Sequence, residues 1–172
     1  MIKPIIILLF LLYHTTSDSV AQSSLDDYQF IQSLNTKMKR KEFANEIILD
    51  KQEKFIIVNY GNKPTFIVLF DINNYNVVAN FRLSNWVEFS GAYIDYETNQ
   101  FYVKESRYSN EYYRLDINTG EQDIIECDLA PQGCVVEDLE ITRKSVFSNS
   151  KDYYITINKR NKRDVRIYQL RR

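Results

Sequence analysis

Glu137, Asp138 and Glu140 stand close together in the chain, and two carboxylates are all that glycoside hydrolysis requires. On an alternating strand Asp138 and Glu140 would share one face, about 7 Å apart along the backbone. They would act as acid and base only if one carboxyl were held protonated beside a substrate groove. Solvated edge residues are the plainer expectation. A second acidic stretch, Asp116-Ile117-Asn118-Thr119-Gly120-Glu121, opens like a calcium loop of the D-x-[DN]-x-[DN]-G type. Gly120 stands where the third oxygen ligand belongs, and Cys127 occupies the twelfth place, where Glu is required. The stretch therefore predicts a tight hairpin turn with Gly120 at positive φ and no metal site.

Other chemistries lack their residues. The only histidine is His14, inside the expected amino-terminal signal, so a processed chain would have none. That removes Ser-His-Asp and Cys-His nucleophile systems, histidine-bearing zinc sites and histidine pH switching. The two cysteines, Cys127 and Cys134, are too few for a thiolate metal cage. In an exported chain they are expected to pair, closing a short loop worth roughly 2–3 kcal/mol. No cofactor is expected. Thirteen tyrosines, ten phenylalanines and Trp86 could line a sugar-stacking surface, although core packing and cross-strand pairs account for most aromatics in β proteins. Trp86 follows Ser84-Asn85 at a junction between repeats, which makes it the candidate binding aromatic.

The amino terminus reads as an export signal. Lys3 precedes a short apolar run over residues 5–13, and Ser19-Val20-Ala21 fits a small-x-small cleavage site. The run is shorter than the roughly 18–20 residues of a membrane-spanning helix, and no second run is long enough. Residues 1–21 are thus expected to be a signal peptide and residues 22–172 a single domain of 151 residues, large enough for a real core. The location expected is secreted or periplasmic. A net charge of −1 argues against a dedicated nucleic-acid binder. Charge is nevertheless uneven: residues 87–142 hold thirteen acidic and three basic residues, and residues 143–172 hold ten basic and two acidic ones. Compensation across adjacent strands is the expectation; if the two regions faced apart, the molecule would have opposite poles.

The elements that must position these groups are strands. Residues 46–49, 55–60, 65–70 and 77–83 are rich in Ile, Val, Phe and Tyr, with turn-prone residues 50–54, 61–64 and 71–76 between them. A second unit repeats the plan at 87–94, 100–104, 111–115 and 121–127, and a looser third one at 146–147, 153–157 and 163–170. Two landmarks share one period: Asp50 recurs as Asp95 and Asp71 as Asp116, both shifted by 45 residues. A period of that size with several short strands per unit is what propeller blades show. Residues 26–34 fit a strand or a helix start equally well; as a strand they would supply the missing outer strand of the third unit.

Tyr93-Ile94-Asp95-Tyr96-Glu97-Thr98-Asn99-Gln100-Phe101-Tyr102-Val103 and Tyr113-Arg114-Leu115-Asp116-Ile117-Asn118-Thr119-Gly120-Glu121 resemble blades of secreted β-propellers, of the six-bladed and YVTN/TolB-like kinds found in exported bacterial proteins. The resemblance implies an all-β fold of antiparallel four-stranded meanders, propeller-like but partial, with about three blades. A β-sandwich or open barrel is the alternative. Propellers have about 4–8 blades, so three leave a ring hard to close; a partial propeller that closes as a homodimer and a degenerate fragment of a longer ancestor are the two options within that architecture. The function expected is an exported, non-enzymatic protein that recognises a protein or glycan. A carboxylate-based glycan hydrolase and a self-assembling structural subunit are the alternatives.

Overall fold

A computed structural model describes residues 25, 27–35, 42–61, 63–106, 108–134 and 144–171. Strands carry nearly all the regular structure there. They are β1 (Tyr28–Ser33), β2 (Ala44–Leu49), β3 (Phe55–Tyr60), β4 (Thr65–Asp71), β5 (Val77–Leu83), β6 (Glu88–Asp95), β7 (Gln100–Lys104), β8 (Glu111–Asp116), β9 (Gln122–Glu126), β10 (Ser145–Phe147), β11 (Tyr153–Ile157) and β12 (Val165–Leu170). One turn of 3-10 helix, Cys127–Leu129, follows β9. The strands form three separate four-stranded antiparallel sheets, ordered β2-β3-β4-β5, β6-β7-β8-β9 and β1-β12-β11-β10. The fold is all-β and built of meanders, and the described strands close no barrel.

The first sheet lies between the other two. β3 reads Phe-Ile-Ile-Val-Asn-Tyr without polar alternation, and all but Phe55 are buried, as expected of a strand covered on both faces. Ile56, Val58, Val68 and Phe70 pack with Ile155, Ile157, Val165 and Ile167 of the carboxy-terminal sheet. Their neighbours Ile57, Ile67 and Leu69 turn the other way, onto Phe89, Phe101, Val103 and Leu115 of the second sheet. β5 alternates instead: Ala79, Phe81 and Leu83 are buried against the second sheet, whereas Val78, Asn80 and Arg82 are exposed. Period-two patterning thus records which strands have one neighbour and which have two.

The 45-residue period is a repeated hairpin. The Asp71 carboxylate accepts from Asn73 N–H at 2.7 Å and Asn74 N–H at 3.2 Å. Its counterpart Asp116 accepts from Asn118 N–H at 2.9 Å and Thr119 N–H at 2.8 Å. Gly120 closes that turn at φ +78°, with Tyr75 at φ +60° in the equivalent place. The left-handed conformation suits glycine and is uncommon for tyrosine. Asp50 and Asp95 likewise bind backbone N–H groups of their own turns. In the third unit Ser148 takes this role, its hydroxyl accepting from Tyr153 N–H at 3.0 Å. Three backbone bonds complete the equivalence: Ile72 N–H to Lys54 O at 3.0 Å, Ile117 N–H to Asn99 O at 3.0 Å, and Leu170 N–H to Asp152 O at 2.8 Å.

In the third unit the fourth place is taken by β1, from the amino-terminal side of the chain. β1 pairs antiparallel with β12, from Tyr28 opposite Leu170 to Ser33 opposite Arg166. Of residues 26–34, ambiguous between strand and helix, Tyr28–Ser33 thus form an edge strand, and Leu34 buries itself in the core just beyond it. β1 and β12, far apart in sequence, are thereby held in one sheet.

Because the first sheet is packed on both faces, Ile56→Ala and Ile57→Ala should each cost about 2–5 kcal/mol in urea unfolding. A cost under about 1 kcal/mol for either one would mean that its face of the sheet is not packed.

Candidate functional site

Among the described residues, those singled out by sequence do not converge. Glu137, Asp138 and Glu140 lie outside the described residues, as does His14. The Asp116 loop is a hairpin: two backbone N–H groups occupy its carboxylate, and hydrogen bonding led by Thr119 holds the carboxyl below its usual range. Trp86 is half-buried in the connection from β5 to β6, where Asn59 Nδ2 donates to Val87 O at 3.0 Å. Cys127 and Cys134 form a disulfide, with Cα atoms 4.8 Å apart.

That disulfide loop closes one end of the stack. The outward face of the second sheet carries Tyr93 stacked on Tyr102 at 4.8 Å, with Tyr112 edge-on to both at 5.8 and 5.9 Å. All three are buried, and Cys127 and Ala130 pack against them. Gln132 N–H donates to Tyr93 Oη at 3.4 Å, and Cys127 N–H is tied back to Asn110 O at 2.7 Å. Lys104 is buried on the same face with its ammonium 4.8 Å from the Tyr112 ring centroid, and burial lowers its pKa. Burial raises the phenol pKa of Tyr93 to about 12, and raises those of Tyr102 and Tyr60 as well.

Among the described residues nothing covers the opposite end in the same way. On the outward face of the β1-β12-β11-β10 sheet, Phe30 meets Tyr168 edge-on at 5.6 Å, and Tyr168 meets Tyr154 at 5.9 Å. Tyr154 lies 4.7 Å from Phe147, and Tyr28 approaches both from across the sheet. The Tyr28 hydroxyl donates to Lys151 O, which anchors the amino end of β1. Phe30 is 53% exposed and Phe147 44%. The tyrosines are half-buried, their rings covered by neighbours while the strip as a whole faces outward. The Arg166 guanidinium sits 5.8 Å from the Phe30 centroid, and its Nε donates to Asp164 at 2.7 Å. These aromatics went unrecognised as a group because their positions, from 28 to 168, come together only through the β1–β12 pairing.

The uneven charge is likewise resolved by the sheet order. The basic carboxy-terminal segment forms one outer sheet, and β6 to β9 of the acidic segment form the other, with the first sheet between them. Among the described residues the two regions therefore lie on opposite outer sheets rather than on adjacent strands. The ion pairs Arg114–Asp123 and Arg166–Asp164 each stay within one sheet. Among the described residues no helix is long and apolar enough to cross a membrane. No protein-family model matches the chain, and no curated protein is significantly similar to it.

Two outcomes test the closed end. Cys127→Ser with Cys134→Ser should lower stability by about 2–3 kcal/mol and increase the solvent accessibility of Tyr102 and Tyr112. Phenols whose folded pKa is raised contribute stability in full below their ordinary value of 10.0. That contribution is lost as pH rises from there through about 12. Absorbance titration at 295 nm should accordingly show some tyrosines ionising only with unfolding in that window. Simple titration of every tyrosine near pH 10 would contradict the burial.

Proposed function

We propose that this is an exported, non-catalytic glycan-binding protein made of three propeller-like β units, with the outward face of the β1-β12-β11-β10 sheet as its binding surface. One observation carries the reading: of the two outward sheet faces, one is sealed by the disulfide loop, while the other displays five aromatic rings. A contiguous exposed aromatic strip on a folded protein marks an interaction surface. Aromatic faces carry negative charge density and so attract the C–H groups on the flat side of a pyranose. Tyrosine hydroxyls and Arg166 beside those rings would supply the polar contacts that orient a sugar. The signal-like amino terminus and the disulfide both support export.

Self-assembly is the second reading, because the uncapped end of a stack of repeats is where another unit docks. Closing a ring with a second copy would require both end faces to be free, and the loop over Tyr93, Tyr102 and Tyr112 occupies one. That favours the glycan reading.

Phe30→Ala with Phe147→Ala should weaken glycan binding about tenfold while leaving Tm and solution mass unchanged. If that double variant instead lowers a concentration-dependent mass, the face is a self-association surface and the glycan reading falls.

A further inference from the structure

The hairpin between β11 and β12 holds Lys159, Arg160, Lys162 and Arg163 within five residues, all exposed. Its shape is fixed from inside: Asn158 Oδ1 accepts from Arg160 N–H at 3.0 Å and Asn161 Oδ1 from Arg163 N–H at 3.3 Å. Lys162 O accepts from Ala44 N–H at 2.8 Å, docking the hairpin onto the start of β2. Between them lies a cleft of about 530 Å³ lined by these cations with Phe43, Asn45 and Asn161, with no acidic side chain among the described residues that line it. Asp164, the acid of the hairpin, is already engaged by Asn158 Nδ2 at 3.0 Å and Arg166 Nε at 2.7 Å. Arg163 stacks 5.1 Å from the centroid of Phe43, a ring that is 52% exposed.

We infer that the cleft binds the acidic groups of the ligand, so that the glycan is one bearing carboxylates or sulfates. Four like charges on a rigid turn repel one another unless an anion joins them. Guanidinium forks match the two oxygens of a carboxylate or sulfate, and the stack on Phe43 leaves the Arg163 fork pre-aimed. The hairpin that lines the cleft leads directly into β12, the strand that carries Arg166 and Tyr168 of the aromatic face. From Arg163, two residues before β12, the chain reaches Tyr168 over about 17 Å if extended, passing Arg166 beside Phe30. Sugar rings on the strip would therefore bring their acidic substituents to the hairpin. The concave, aromatic-edged shape suits a chain of separated acidic groups better than a flat lipid surface. This inference rests on the glycan reading above.

The test is binding of the full mature chain to polygalacturonate and to dextran sulfate, with unmodified dextran and duplex DNA as comparators. It is read by titration calorimetry at two salt concentrations. The variant replaces Lys159, Arg160, Lys162 and Arg163 with Gln, and its Tm verifies folding; Lys159→Gln with Lys162→Gln serves if the fourfold variant does not fold. The expected result is binding of an acidic polymer that weakens with salt and falls about tenfold or more in the fourfold variant. Binding to dextran and to the acidic polymers alike, untouched by the variant, would overturn the acidic assignment and leave the glycan reading standing. Absence of binding to any polysaccharide would overturn both. Equal affinity for duplex DNA would reduce the hairpin to an unselective polyanion contact and overturn the inference.

Discussion

Burial of the β2–β5 sheet on both faces is the constraint on which the rest of the molecule depends. A strand such as β3, apolar on alternate sides through Ile56 and Ile57, is stable in water only with a sheet over each face. The second sheet covers one face. The carboxy-terminal strands cover the other, and β1 completes their sheet. From that single requirement follow the central position of the first sheet, the separation of the acidic and basic segments, and the existence of two outward faces.

Those two faces solve the end-of-stack problem differently. In repeat architectures each unit buries its apolar surface on a neighbour, so the terminal units need caps or partners. Here the short disulfide loop supplies a cap, setting Cys127 and Ala130 against three tyrosines. No comparable segment among the described residues seats on Phe30 and Phe147, which stay partly exposed. A loop held by a covalent bond on one side and an aromatic strip on the other is an asymmetry that packing alone does not demand. It points to the strip as the surface with a task.

Much of the architecture was legible in the residues, and the failures have physical causes. Alternation and turn chemistry located the strands to within one or two residues, because each meander alternates short extended segments with Asp/Asn/Gly turns. Asp50, Asp71, Asp95 and Asp116 marked the period because each carboxylate binds its own turn backbone. The third unit was faint because Ser148 makes the equivalent bond with a hydroxyl. What covers a face was not legible: Tyr102 and Tyr154 have similar strand contexts, yet one lies beneath the disulfide loop and the other on the open face. Trp86, conspicuous as the only tryptophan, is half-buried between strands. The aromatic strip draws on residues at opposite ends of the chain, so no local window contains it.

The most direct measurement is hydroxyl-radical footprinting of the free chain over a range of concentrations, read residue by residue by mass spectrometry. The asymmetry predicts strong labelling of Phe30 and Phe147 and protection of Tyr93, Tyr102 and Tyr112 at every concentration. Protection of Phe30 and Phe147 in the dilute chain, or labelling of the three tyrosines as strong as theirs, would contradict it.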